Sequence, residues 1–319
     1  MDDLTGIIGQ NRAIEFLRTC IDNQHLSHAY LFCGPAGVGK MTTAVAFANT
    51  LLKREDPKGR VLLANRAHPD LFTIERIPDK TRLSKEQIKE MQSWLALKPY
   101  RAQHRLVIIR DAHLLTPEAG NALLKILEEP PEYAILILVT DEAAIMETIL
   151  SRCQPVRFKA VSEDDIITVL TGRGIDIEQA SCAARLCQGS IAAALEFAQE
   201  EDLARQWNLA RQHFVALARG DMAAVFEAAD TIEKDPHLLS YMLSTILRDV
   251  CVYRSSGNPA LLMFSEHQEL IKSLPDADPD RIGAAVNRVQ DLQKHMRYHV
   301  NPLALGINIA YAVRGAFWD

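Results

Sequence analysis

The sequence has no run of about 18 apolar residues free of charge, the length a helix needs to cross a lipid core, so no membrane span is expected. Its opening MDDLTGIIGQ holds two acids and no basic cluster, which is not the pattern of a secretory leader. The six cysteines stand at 20, 33, 153, 182, 187 and 251, and none forms a C-x-x-C pair. Several lie in apolar helical or strand contexts, and they read as buried free thiols in a reducing cytoplasm. Internal repeats and low-complexity segments are missing too. Positive charge is scarce: 35 Lys and Arg against 41 Asp and Glu give a net charge of −6. Residues 1–160 carry 21 basic and 19 acidic side chains, hence +2, and residues 161–319 carry 14 and 22, hence −8. Phosphate contacts need a clustered positive surface, so neither half is a free-standing DNA-binding domain. Contact with DNA would have to come from a local patch or from an assembly.

What is present is enough apolar material for packed cores, 48% of 319 residues, and length for two or three domains. The first half alternates apolar runs with helical patterns. HAYLFCG (28–34), DLFTIER (70–76), RLVIIRDAH (105–113), AILILVT (134–140) and PVRF (155–158) read as five strands. MTTAVAFANTLLK (41–53), SKEQIKEMQSWLAL (84–97) and TPEAGNALLKILEEPP (116–131) read as helices. Ser84 is a candidate N-cap, and the last helix opens with Pro117 and stops at a Pro-Pro pair. Alternation of this kind implies a parallel sheet covered on both faces. After Ala160 the strands stop. The expected plan is an α/β domain over 1–160, a small helical lid over 161–204 and an all-helical domain over 205–319. KDPH, SSGNP and LPDADPDR mark turns within the last of these.

Between the first strand and its helix, Gly34, Gly39 and Lys40 fit G-x-x-x-x-G-K, the loop whose backbone N–H groups cradle phosphates at a helix N-terminus. The next residue should be Ser or Thr, which holds Mg²⁺. Here it is Met41, whose soft thioether cannot serve a hard cation. Thr42 lies ~100° further round the helix and should face elsewhere. Asp111, ending the third strand, is the expected acidic partner of the metal, but Ala112 occupies the position that would activate water. His113 reads as a structural loop histidine. Gly34, Gly37, Gly39, Lys40, Asp111 and Thr140 are therefore a vestigial or weak nucleotide set, with no metal ligands. ATP or ADP could sit there without turnover, and no cofactor is required. Metal bridging and water positioning make phosphoryl transfer fast, and a site without them hydrolyses poorly. The triplet Ser151–Arg152–Cys153 closes the helical pattern DEAAIMETIL. On spacing alone, Arg152 reads as a surface arginine complementing a helix C-terminus, its guanidinium free to extend from the domain edge.

IIGQ, HAYLFCGPAGVGK, HPDLFTIE, NALLKILEEPP, SRCQPVRF and NPLALGINIAY occur in the order in which the AAA+ clamp-loader family carries them, and the sequence resembles that family over essentially its whole length. The resemblance implies an AAA+ α/β domain, a lid and a helical collar that makes a ring. It implies membership of a five-subunit DNA polymerase III clamp loader, with gamma/tau and delta subunits, a sliding clamp and primer–template DNA as partners. In that family the arginine of the SRC triplet is a finger acting in trans, which makes Arg152 the catalytic candidate at a neighbour's ATP. Three positions depart from the hydrolysing members: Met41, Ala112 and Ala192, the last standing where the lid carries arginine. The implied type is a non-catalytic subunit that keeps its finger. An active gamma/tau-type ATPase and a scaffold outside replication are the alternatives. Many members also carry a four-cysteine zinc module before the HPD strand. Residues 49–70 contain no cysteine and His68 alone cannot make a tetrahedral site, so no zinc is expected.

Overall fold

The computed structural model describes residues 3–65, 67–78, 80–141, 145–199, 203–264, 267–296 and 301–318. The five expected strands form one all-parallel sheet: β1 (Ala29–Cys33), β2 (Leu71–Ile74), β3 (Arg105–Ile109), β4 (Ala134–Thr140) and β5 (Gln154–Arg157), in the order β2-β3-β4-β1-β5. The helices are α1 (Asn11–Asp22), α2 (Lys40–Glu55), α3 (Arg60–Ala64), α4 (Lys85–Leu95), α5 (Pro117–Glu128), α6 (Glu147–Leu150), α7 (Glu163–Thr171), α8 (Ile177–Leu186) and α9 (Ile191–Phe197), then α10 (Leu203–Ala218), α11 (Ala223–Lys234), α12 (Pro236–Ser256), α13 (His267–Lys272), α14 (Pro279–His295) and α15 (Pro302–Gly315). No helix among the described residues is long and apolar enough to cross a membrane.

β3 and β4 are buried along their whole length, as strands covered on both faces must be. One face packs Leu31, Val107, Ile109, Leu136 and Leu138 against Ile88, Met91 and Leu95 of α4 and Leu123 and Leu127 of α5. The other carries α2, with the Tyr30 and Phe47 rings edge to face at 5.3 Å. Local signals set the helix starts. Gln87 Oε1 accepts from the Ser84 N–H at 3.1 Å, half of a reciprocal cap. Thr116 Oγ1 accepts from the Ala119 N–H at 3.2 Å, with Pro117 in the first turn. β3 is shorter than its sequence pattern. It ends at Ile109, and Asp111 turns the chain with φ +54° into a short 3₁₀ segment, Ala112–Leu114.

The described chain groups into two compact units, Met1–Gly174 with Gln188–Ala193, and Ile175–Cys187 with Ala194–Asp319. The second unit is all helical. Its centre is α12, whose Leu238, Leu239, Met242, Leu243, Ile246, Leu247 and Val250 are all buried. α10, α11, α13, α14 and α15 surround it. α15 lies along α11, close enough that a Cβ on Gly306 would stand 2.9 Å from the Ala229 carbonyl oxygen. Asp249 of α12 is fully buried. It accepts from the N–H groups of Met263 and Phe264 at 3.0 and 3.2 Å, with His267 Nδ1 2.8 Å away. Burial pushes the Asp249 carboxyl up, but the hydrogen bonds from His267 and the two N–H groups outweigh it and hold the carboxyl below its ordinary value.

Candidate functional site

Parallel strands bring their carboxyl ends to one edge of the sheet, where α/β proteins bind ligands. β4 lies between β3 and β1, with Cys33 level with Thr140 and Ile109 level with Leu138. Gly34, which follows β1, Asp111, which follows β3, and Thr140, which ends β4, thus come to the same edge. The loop from Gly34 bends through glycines with positive φ, +72° at Gly37 and +95° at Gly39, and then enters α2 at Lys40. Side chains disfavour that conformation, and glycine adopts it freely.

Lys40 is 5% exposed, and its ammonium is already engaged. Nζ donates to the Gly34 carbonyl at 2.7 Å, to the Pro35 carbonyl and to Asp141 Oδ1 at 2.8 Å. Asp141 directly follows Thr140, so β4 delivers a carboxylate to the cationic group that a phosphate would need. Thr140 Oγ1 donates to the Asp141 carbonyl at 3.0 Å, and His113 Nδ1 lies 3.5 Å from both Thr140 Oγ1 and the Asp141 nitrogen. His113 thereby ties the exit of β3 to that of β4. The loop apex is held as well. The Gly37 carbonyl accepts from the Ala192 N–H at 3.1 Å, and a Cβ on Gly37 would stand 2.0 Å from Ser190 Oγ. Residue 192 is therefore beside the cradle, and as alanine it offers no charge there.

Position 41 presents no hydroxyl. Thr42 is exposed, as its place on the helix predicts, and Thr43 is buried with Oγ1 bonded to the Gly39 carbonyl at 2.9 Å. Asp111 is partly exposed, 3.7 Å from Arg110 Nε, and Ala112 is buried. The residues fit the backbone half of a phosphate cradle. They do not supply a Mg²⁺ ligand after the lysine or a base after the acid.

Arg152 is elsewhere. The described part of the preceding helix is only α6, four residues long, and residues 142–144 of the expected longer helix lie outside the described residues. β5 begins two residues after Arg152, and its first residue, Gln154, is level with Tyr30 of β1. From Tyr30 to Gly34 is four residues of strand, roughly 13 Å at ~3.3 Å per residue. Arg152 is therefore at the amino edge of the sheet, and the cradle at the carboxyl edge. Its guanidinium is not loose, contrary to the reading from spacing. Nη2 donates to Glu128 Oε1 at 2.7 Å, and Nη1 to the Thr148 carbonyl at 3.0 Å and to Ser151 Oγ at 3.4 Å. Cys153 belongs to the core, and burial pushes its thiol up to about 12, which leaves it a packing residue.

Around residues 56–70, polar side chains tie the loops together. His68 is buried, with Nδ1 accepting from the Asp70 N–H at 3.2 Å and Nε2 3.4 Å from Asp56. Arg101 Nε donates to Asp56 at 2.6 Å, and that hydrogen bond holds the Asp56 carboxyl down at about 2. Asp70 accepts three N–H groups, from Tyr100, Arg101 and Ala102, at 2.7, 2.7 and 3.0 Å.

Sequence reasoning missed Asp141 and Glu128 as partners of Lys40 and Arg152. Asp141 stands next to a residue already singled out. Glu128 lies 24 residues before Arg152, and no local spacing links the two.

Residues 9–162 match a protein family described as DNA polymerase III, delta subunit. The chain is 30% identical over 203 residues to DNA polymerase III subunit delta' of Bacillus subtilis, covering 61% of this chain and 61% of that one. It is 32% identical over 185 residues to subunit tau of the same organism, covering 54% of this chain and 32% of that one. It thus spans about three fifths of the delta' relative and a third of the tau relative. A gamma subunit-related protein of DNA polymerase III from Thermotoga maritima aligns over 95% of this chain and 99% of its own, at 17% identity and a TM-score of 0.44. By these relatives, the chain is similar to subunits of bacterial DNA polymerase III, delta' and tau alike.

Proposed function

We propose that this chain is a non-catalytic, delta'-type subunit of a DNA polymerase III clamp loader, and that it supplies Arg152 to the ATP of a neighbouring subunit. The observation that carries the reading is the separation of the two halves of the chemistry. Arg152 is at the opposite sheet edge from the cradle of its own chain, at a distance its side chain cannot bridge, so a phosphate that it meets belongs to another chain. The chain's own cradle argues in the same direction: Lys40 is paired with Asp141, and positions 41, 112 and 192 lack the metal ligand, the base and the second cation. An arginine fits the role because its guanidinium stays charged and offers a planar fork to phosphate oxygens. The partners on this reading are gamma/tau and delta subunits, the sliding clamp and, through the complex, primer–template DNA. The three-part division with a lid over 161–204 and a collar from 205 belongs to the same proposal.

The test is ATP hydrolysis by the reconstituted complex, stimulated by clamp and DNA. Arg152→Ala should lower it by about tenfold or more at the site the finger serves, and Arg152→Lys should recover only part. Lys40→Ala should leave it unchanged, and the chain alone should not turn over. The relatives include tau as well as delta', and the same assay separates the two readings. Hydrolysis that depends on Lys40 and not on Arg152 would make this chain a gamma/tau-type ATPase.

A further inference from the structure

Arg152 is anchored at its base and along one rim. The base is fixed by its own N–H on the Ile149 carbonyl at 3.1 Å and by buried Ile149 and Cys153 on either side. Along the rim, three of the five guanidinium N–H donors are used, two on the adjacent turn and one on Glu128. The Nε–H and the second Nη2 hydrogen are not among those bonds.

Glu128 is the last residue of α5, and α5 is a rigid mount. Thr116 caps its start, and Leu123, Ile126 and Leu127 bury one side. Gln92 Nε2 of α4 donates to the Ala122 carbonyl at 3.0 Å, fixing α5 against its neighbour. The carboxylate at the end of such a helix holds its place, whereas an arginine in the turn after a four-residue helix has many rotamers open to it.

We infer that Glu128 is the positioning residue for Arg152: its carboxylate holds one edge of the guanidinium so that the other edge faces outward, already ordered, toward a phosphate on the neighbouring subunit. This rests on the trans role proposed above. Holding a reacting group in place before reaction removes an ordering cost from the barrier. Both partners are partly exposed, 36% for Arg152 and 51% for Glu128, and exposed pairs contribute little, so the gain is on the order of two- to fivefold in rate.

The experiment uses the reconstituted complex containing the full chain as wild type, Glu128→Ala, Arg152→Ala and the double variant, with kcat and KM for ATP read under clamp and DNA stimulation. Glu128→Ala should lower the Arg152-dependent part of kcat by about two- to fivefold, leave KM within twofold, and lower nothing further once Arg152 is alanine. A purely structural role would not vanish in the Arg152→Ala background. Glu128→Gln keeps the shape and one acceptor, should give an intermediate loss, and carries the same cycle if the alanine variant fails to assemble. If Arg152→Ala lowers kcat but Glu128→Ala leaves it unchanged or raises it, or if the Glu128 loss persists without Arg152, the positioning role is wrong and the finger stands. If Arg152→Ala hydrolyses like wild type, the finger is wrong and this inference falls with it.

Discussion

Lys40 and Asp141 make the cradle a closed circuit, and opening it should change what the cradle binds. Their contact is 2.8 Å, with Lys40 5% and Asp141 27% exposed. At that distance the bare attraction is ~6 kcal/mol for an effective dielectric of 20, an upper bound that ignores desolvation. A hydrogen bond to a charged group contributes ~1.5–3 kcal/mol net, and the exposure of Asp141 places this pair at the low end. A phosphate entering the loop has to displace that carboxylate from the ammonium. Asp141→Asn keeps the shape and removes the charge, so it should strengthen nucleotide binding by about tenfold, the equivalent of ~1.4 kcal/mol. Calorimetric titration with ADP in the absence of Mg²⁺ reads this directly, because Met41 gives the metal no ligand. Lys40→Ala in the Asp141→Asn background should abolish the gain. If Asp141→Asn and wild type bind ADP within twofold of each other, the carboxylate does not compete with phosphate and the closed cradle is a packing feature only.

Two further perturbations test the electrostatics elsewhere. Asp249→Asn in the helical unit should cost roughly 3 kcal/mol in urea unfolding, because it breaks a fully buried pair with His267. The folded carboxyl is held low, so its contribution should be complete above about pH 4, the ordinary carboxylate value, and fade as pH falls through the lower folded value; a stability difference that does not shrink on acidification would refute the assignment. Arg101→Ala should let the Asp56 carboxyl rise from about 2 toward its ordinary range, as read by carboxyl NMR titration. Wild type should then lose, between about pH 4 and 2, a stabilisation that the variant lacks. An unmoved Asp56 would mean that Arg101 is not what holds it.

What the sequence made legible follows one physical rule: a feature that depends on neighbours along the chain can be read, and one that depends on neighbours in space cannot. The five strands were readable because each is an apolar run bounded by turn residues, and AILILVT matches β4 residue for residue. The cradle was readable because its glycines, lysine and flanking strand and helix are contiguous. The end of β3 was not, since the left-handed turn at Asp111 is made by an ordinary residue rather than a glycine. The packing around α12 was not readable either, because it depends on elements far apart in the sequence. Five helices surround it, an arrangement that amphipathic counting on one helix cannot foresee.

The same rule explains why Arg152 was only half legible. Its place in the chain, after a helical pattern and before a strand, suggested an arginine free at an edge. Which edge depends on the pairing of β5 with β1, and that register sets the start of β5 level with Tyr30 and not with the loop at Gly34. Had β5 been antiparallel to β1, its start could lie at the carboxyl edge, and a finger acting on its own chain's phosphate would be geometrically open. Parallel pairing closes that option. Glu128 arrives at the amino edge for a matching reason: α5 starts just past Asp111 at the carboxyl edge, runs back across the sheet, and ends before β4 begins. A crossover helix between parallel strands has to return in this way. Its last residue is thereby delivered to the edge where Arg152 stands. The ion pair is thus a consequence of strand order and crossover length, and neither residue's immediate neighbours in the sequence could have announced it.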